Sequence, residues 1–295
     1  MLYTDLGGHS GCQVILCEPE VGAPFVKKIS NSIEYNHRLI AQKNKQESYE
    51  NSFIKAPKIL DDGYTDAGLY YFSMQYIQGI TLAEYIKTIE ITKIQDIVKE
   101  LMRDIEKVTS STVDNSGIFL QKIDSLKKQL FILHNPIINE AIDLLSAHDW
   151  SIYSKSQCHG DLTLENIIVK NNELYFIDFL DSFFDSWILD IGTILQDVHV
   201  MWSYRNEDNV SINTLLRLMV FRDLLVDEAK RKLGNQYIEI YFSLLLKLVR
   251  IYPYTKDTKT YEFLNQKTKR IIYIIKKEVA DIENVNNTVC RKKNL

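Results

Sequence analysis

The sequence predicts an α+β fold in two lobes, a small antiparallel-sheet lobe followed by a larger, mainly helical one. Three observations carry this reading. Short β-rich apolar runs, separated by Gly- and Pro-containing turns, fill the first ~75 residues. Longer segments with helix-start signals dominate the chain beyond Thr81. One pair of β-rich runs, Ile167 to Val169 and Leu174 to Ile177, interrupts the helical part.

In chain order, Leu2 to Leu6, Cys12 to Cys17 and Phe25 to Ile29 read as strands. Ser32 to Asn51 is polar and lacks Gly and Pro, which suits a helix. Lys58 to Tyr64 and Leu69 to Ile77 read as two further strands across the Asp66-Ala67-Gly68 turn. Thr81-Leu82-Ala83-Glu84 has the capping-box form, and Thr92 to Gln95 repeats it before a helix running towards Val108. Further helices are expected over Gln121 to Leu133, Ile137 to Ala147, Trp187 to Trp202, Ile212 to Lys232, Gln236 to Val249 and Tyr261 to Val279. The lobes divide at residues 1–77 and 78–295.

A chain of 295 residues with 45% apolar and 25% charged residues has an ordinary globular composition. A net charge of −4 gives no case for a nucleic-acid partner. No run approaches a membrane span, and Met1 to Asp5 lacks the features of a signal peptide. Cys12, Cys17, Cys158 and Cys290 have no zinc-ligand spacing and are expected to stay reduced. The expectation is a cytoplasmic protein without a membrane or nucleic-acid partner.

His159-Gly160-Asp161-Leu162-Thr163-Leu164-Glu165-Asn166, followed by Ile177-Asp178-Phe179, is the segment that points to chemistry. In a phosphoryl-transfer loop of the form His-x-Asp-x-x-x-x-Asn, the Asp meets the acceptor hydroxyl and the Asn holds Mg²⁺. A later Asp-Phe supplies the second metal carboxylate. Asp161 is therefore the candidate base, and Asn166 and Asp178 are the candidate metal ligands. Asn171-Asn172 suits a two-residue hairpin turn, because Asn tolerates positive φ. Folding over that turn returns Asp178 to the neighbourhood of Asn166.

At the nucleotide end, Gly8, Ser10 and Gly11 lie in Gly7-Gly8-His9-Ser10-Gly11, where backbone N–H groups could approach phosphates. No Gly-Lys-Ser/Thr follows, so this is not a P-loop. Lys27 and Lys28 point to opposite faces of their strand. Lys28 is favoured for the phosphates because it sets Val26 against the adenine, while alignment of Lys-Lys-Ile favours Lys27. A helix carboxylate 15–20 residues on is expected to pair with that lysine, which selects Glu47. Gln75 C=O and Ile77 N–H would meet the adenine edge, with Met74 behind them.

Assembled, these residues resemble those of the aminoglycoside phosphotransferase and choline kinase-like family of small-molecule kinases. The segments are Gly8 to Gly11, Lys27/Lys28, Met74 to Gly79, His159 to Asn166, Asp178, and Trp187-Ile188-Leu189-Asp190. The resemblance implies a bilobal protein-kinase-like fold, ATP or GTP as donor with Mg²⁺, and a small-molecule hydroxyl acceptor. It also implies that His159 and Asp190 support the catalytic loop. His-Gly-Asp-Leu-Thr-Leu-Glu-Asn is similar to the motif of members encoded with bacterial surface-polysaccharide genes, which suggests a sugar-like acceptor. An aminoglycoside stands beside it as the expected acceptor, and a choline-like amino alcohol is the alternative. Leu180 departs from the family, standing where the metal motif carries Gly.

Protein substrates are disfavoured, since twelve positions separate Asp178 from Asp190 and no Ala-Pro-Glu follows. A catalytically inactive nucleotide-binding module is the alternative from another class. For the acceptor, Asp181, Trp202 and Tyr204 are candidates, with Asp185, Asp197, Glu207 and Asp208 near them. An aromatic ring and a carboxylate would suit an amine-bearing ligand.

Overall fold

The computed structural model describes residues 2–7, 11–50, 53–103 and 114–293, the last nine of these by backbone alone. Five strands form the first sheet: β1 (Leu2–Asp5), β2 (Gln13–Glu18), β3 (Phe25–Ile29), β5 (Ile59–Tyr64) and β6 (Tyr70–Gln75). Their order is β1-β2-β3-β6-β5, with every neighbour antiparallel. On β3 the alternation buries Val26 and Lys28 on one face. Val26 joins Cys12, Leu39, Tyr70, Phe72 and Met74 in one apolar cluster. Leu39 belongs to α1 (Asn36–Glu47), so this cluster seats the helix on the sheet.

A second sheet is built on β8 (Ile167–Lys170) and β9 (Glu173–Phe176), which form the expected hairpin with Lys170 opposite Glu173. Asn171 and Asn172 have φ of 52° and 64°, the double positive φ of a two-residue hairpin turn. The outer strands β4 (Ile54–Lys55) and β7 (Ile80–Thr81) are two residues each, too short for periodicity to reveal. They complete the order β4-β9-β8-β7. The Thr81 hydroxyl accepts from Glu84 N–H at 3.2 Å, as the capping box requires, but the helix it opens, α2 (Leu82–Tyr85), is one turn long.

Helices make up the rest: α3 (Ile91–Arg103), α4 (Ser116–Leu130), α5 (Pro136–Ala147), α6 (Trp187–Val198), α7 (Ile212–Leu233), α8 (Glu239–Ile251) and α9 (Thr258–Lys293). α3 begins at Ile91, so Thr92 lies inside it and does not cap it. Asn135 caps α5, accepting from the Ile137 and Ile138 N–H groups, with Pro136 in the first turn. α6 is buried along its whole length and packs on α8. Phe119 stacks on Trp150 with centroids 4.6 Å apart, inside a cluster that includes Tyr153 and Phe184.

The chain divides into two compact units, residues 1–85 with 159–182, and residues 86–158 with 183–295. The segment 159–182 thus groups with both sheets and α1, although the sequence places it among the helices. Among the described residues, no helix is long and apolar enough to cross a membrane.

Candidate active site

Most of the residues picked out in the sequence for chemistry lie in the first unit. Leu162 and Leu164, 1% and 0% exposed, anchor the loop, and a short 3-10 turn, Leu164–Asn166, leads into β8. His159 is fully buried. Its Nδ1 accepts from the Asp161 N–H at 3.2 Å, so Nε2 carries the proton and donates to Ile177 C=O at 2.7 Å. That ring ties the loop to the strand end ahead of Asp178. Phe179 covers it, with ring centroids 4.5 Å apart, and Tyr49 packs on Phe179 from α1's end at 5.1 Å.

Gly160 has φ +95°, and a Cβ there would lie 2.6 Å from the Leu180 carbonyl oxygen. No side chain fits, which accounts for Gly at a position where a protein kinase carries Arg. Leu180 lies outside the positive-φ region and needs no glycine. Its N–H donates to His159 C=O at 3.1 Å, so the substituted residue still closes the turn.

Asn166 Nδ2 donates to Asp161 C=O at 2.8 Å, which fixes the amide orientation. Its Oδ1 takes no hydrogen bond from the described residues. The Asp161 carboxylate is likewise without a protein donor among them; only its backbone is engaged. Asp178 sits at φ +61°, an unusual conformation for a residue other than Gly, and its side chain is 53% exposed. Two oxygen donors, Asn166 Oδ1 and the Asp178 carboxylate, suit a hard cation that draws its remaining ligands from phosphates and water. Among the described residues no group of three His, Cys, Asp or Glu side chains could hold a metal by itself.

Lys28 is 3% exposed, and its ammonium donates to Gln42 Oε1 at 3.0 Å and to Asp178 Oδ1. Lys27 lies on the other face, its Nζ 3.5 Å from the centre of the Tyr71 ring. The helix carboxylate is a correction. Glu47 is half exposed and bonds Lys43 at 2.9 Å, one turn back on α1. That bond raises the Lys43 pKa. The helix residue on Lys28 is Gln42. Glu47 lies five residues past Gln42, about 140° further around the helix, and so cannot share its face.

α1 in fact offers Arg38, Gln42 and Lys45 along one stripe, the i, i+4, i+7 spacing of one helix face. Arg38 Nε lies 3.5 Å from Asp181 Oδ2. Lys45 Nζ donates to Leu180 C=O at 3.1 Å and to Ser182 Oγ at 2.9 Å. None of the three stands out in the sequence. Their helical spacing is visible there, but the expectation of a carboxylate partner points past it.

Gly8 and Ser10 lie outside the described residues; Gly11 begins the run into β2 with φ +76°. Gln75 is exposed and its N–H is used by Lys58 C=O at 2.9 Å. Ile77 is buried with Ile168 and Tyr175. In the second unit, Asp190 is 4% exposed on α6. Tyr204 is also a correction: at 3% exposure its ring is a packing residue with no face for an acceptor. Trp202 already carries a cation, the Arg205 guanidinium 4.1 Å from its ring centre. Asp197, fully buried, accepts from Ser203 N–H and Oγ at 2.9 and 2.8 Å and braces that turn.

Comparison with solved structures gives the fold class. The chain has the fold of small-molecule kinases, an antiparallel-sheet N-terminal part with a larger helical C-terminal part. It superposes on a thermostable mutant of aminoglycoside phosphotransferase APH(4)-Ia with a TM-score of 0.61, at 10% identity, covering 94% of each chain. Amicoumacin kinase hAmiN, solved with AMP-PNP, Ca²⁺ and Ami, matches with a TM-score of 0.59 and 16% identity, over 92% of this chain and 87% of that one. A fructosamine-3-kinase-like protein from Haemophilus somnus gives 0.57 at 14%, over 93% and 91%. Among characterised sequences, Protein LicA of Haemophilus influenzae is 22% identical over 210 residues, 67% of this chain and 58% of that protein. The match thus spans less than two thirds of that relative's length. No family model matches the chain.

Proposed function

We propose that this protein is an ATP- or GTP-dependent phosphotransferase that moves the γ-phosphate to a hydroxyl of a small molecule. The observation that carries the reading is the gathering of Lys28, Asp161, Asn166 and Asp178 in one compact unit, through the His159 and Gln42 contacts. Asp161 would orient the acceptor hydroxyl and take its proton. Lys28 would meet the phosphates; Asn166 Oδ1 and the Asp178 carboxylate would hold Mg²⁺. When bound, that ion would neutralise charge on the β- and γ-phosphates. Gly8, Ser10, Gly11, Gln75 and Ile77 complete the nucleotide side in this reading, with residues 1–77 as the nucleotide lobe and 78–295 carrying the acceptor helices. His159 would support the loop, and Asp190 is kept as a candidate support on the family resemblance alone.

A sugar-like molecule or an aminoglycoside is the acceptor we favour. Support comes from the relatives: APH(4)-Ia has been solved with ADP and hygromycin B, and hAmiN with Ami. Asp181 remains an acceptor-side candidate, balanced at present by Arg38. A cytoplasmic location, where nucleoside triphosphates are available, fits this activity.

The test pairs two variants on an acceptor found by screening sugars, polyols, amino alcohols and aminoglycosides for nucleotide consumption. Asp161→Asn should cut turnover by roughly 10²–10⁴ while leaving Mg²⁺-nucleotide affinity almost unchanged. Asp178→Asn should weaken metal-dependent nucleotide binding together with turnover. Near-normal turnover in Asp161→Asn would overturn the assignment. Nucleotide binding without turnover on any acceptor class would favour an inactive binding module.

A further inference from the structure

We propose that Lys28 and a divalent cation compete for the Asp178 carboxylate, and that Gln42 is the positioning residue that retains Lys28 when Asp178 releases it. This rests on the phosphotransferase reading of the same site. Lys28 is buried and has two partners among the described residues, the Gln42 amide oxygen and Asp178 Oδ1. Gln42 is itself 2% exposed, and its Nε2 donates to the Tyr35 hydroxyl at 3.3 Å, which turns Oε1 towards Lys28.

The charges decide the behaviour. An amide oxygen accepts a hydrogen bond but cancels no charge, so α1 gives the ammonium a direction and no counter-ion. The counter-charge comes from Asp178, one of the two side chains suited to hold a cation. A cation entering at Asp178 must displace the Lys28 ammonium, share Oδ1 with it, or bind Oδ2 against the repulsion of the ammonium held on Oδ1. A phosphate that accepts from Lys28 relieves this, because it supplies the negative charge that Asp178 gives up. Cation and nucleotide consequently assist each other through one lysine. The neutral Gln42 keeps Lys28 on the helix side without fixing it there. A carboxylate at position 42 would remove the competition by giving Lys28 a permanent partner.

Mn²⁺ binding to the full chain without nucleotide, followed by the EPR signal of unbound Mn²⁺, tests this. Lys28→Met and Gln42→Glu should each tighten Mn²⁺ binding by about tenfold, the scale of removing one opposing charge from a carboxylate. Adding Asp178→Asn to either variant should abolish the gain. A purely structural role for Gln42 predicts no gain in Gln42→Glu. Unchanged or weaker Mn²⁺ binding in both variants, or no detectable binding in any, overturns the competition. If Lys28→Met fails to fold, Gln42→Glu alone decides. A melting scan of the wild type with Mg²⁺ and ATP or GTP runs alongside. No nucleotide shift beside a Mn²⁺ gain would sink the phosphotransferase reading alone, whereas a nucleotide shift without the gain would sink the competition alone.

Discussion

Lys45 of α1 holds the Leu180 carbonyl at 3.1 Å, two residues beyond the proposed metal carboxylate of Asp178. The same ammonium holds Ser182 Oγ at 2.9 Å, so α1 fixes the exit of this loop as well as the ammonium of Lys28. A charged donor to a carbonyl contributes about 1.5–3 kcal/mol. Lys45→Met keeps the chain length of the stem and removes only the donors. We expect the nucleotide KM to rise and kcat to fall together, with a melting temperature a few degrees lower. Steady-state kinetics at varied nucleotide checks this; unchanged constants would show that the loop holds its shape without α1.

Gly160 gives a sharper expectation. A Cβ placed there meets the Leu180 carbonyl at 2.6 Å, Ser182 Oγ at 3.0 Å and Lys45 Nζ at 3.2 Å, at φ +95°. Gly160→Ala should therefore destabilise by about 1–3 kcal/mol, the range for overpacking and for strained backbone. Activity should fall further than stability, because Asp161 is the next residue. Gly160→Arg, which restores the protein-kinase sequence, should be worse than Ala. Denaturant unfolding with parallel kinetics decides it, and an Arg variant as stable as wild type would contradict the geometry.

His199 predicts a pH dependence in the second unit. Both ring nitrogens are buried and without a hydrogen bond among the described residues. Burial, and then the charges of Arg222, Arg270 and Lys267, hold its pKa down to about 3, with Asp223 opposing weakly. An unfolded histidine titrates near 6.5. Between those values the unfolded chain binds a proton that the folded chain refuses. The contribution to stability is thus complete above about pH 6.5 and is lost as pH falls towards 3, at up to about 1.4 kcal/mol per pH unit. Melting curves from pH 7.5 to 4.5 should fall less steeply for His199→Phe than for wild type. Parallel slopes would mean that His199 is solvated.

Much of the fold was legible because its signals are local. The Asn171-Asn172 turn and the β3 limits at Phe25 and Ile29 each follow from the residues at that point. The hidden features depend on phase or on distant partners. Alternation separates Lys27 from Lys28, but only the pairing of β3 with β2 and β6, and the seating of α1, makes one face inward. Glu47 satisfied a spacing rule while Gln42, fourteen residues after Lys28, satisfied the geometry. Residue type misled there, since a neutral side chain carries no charge to suggest a lysine partner. Tyr204 looked like a ligand-binding ring because nothing local marks a tyrosine as core.

The partnership between Lys28 and Asp178 spans 150 positions, and residues 86–158, which belong to the other unit, are made in between. On the ribosome, β3 and α1 are complete long before Asp178 exists. A lysine buried against Gln42 alone would hold an uncompensated charge in an apolar setting, which is costly. The first sheet therefore has reason to stay loosely packed around Lys28 until residues 159–182 emerge. Closing so long a loop is also a slow kind of contact to form. Assembly of the site and completion of the first unit become the same late event, so a nascent chain released before Asp178 would lack both.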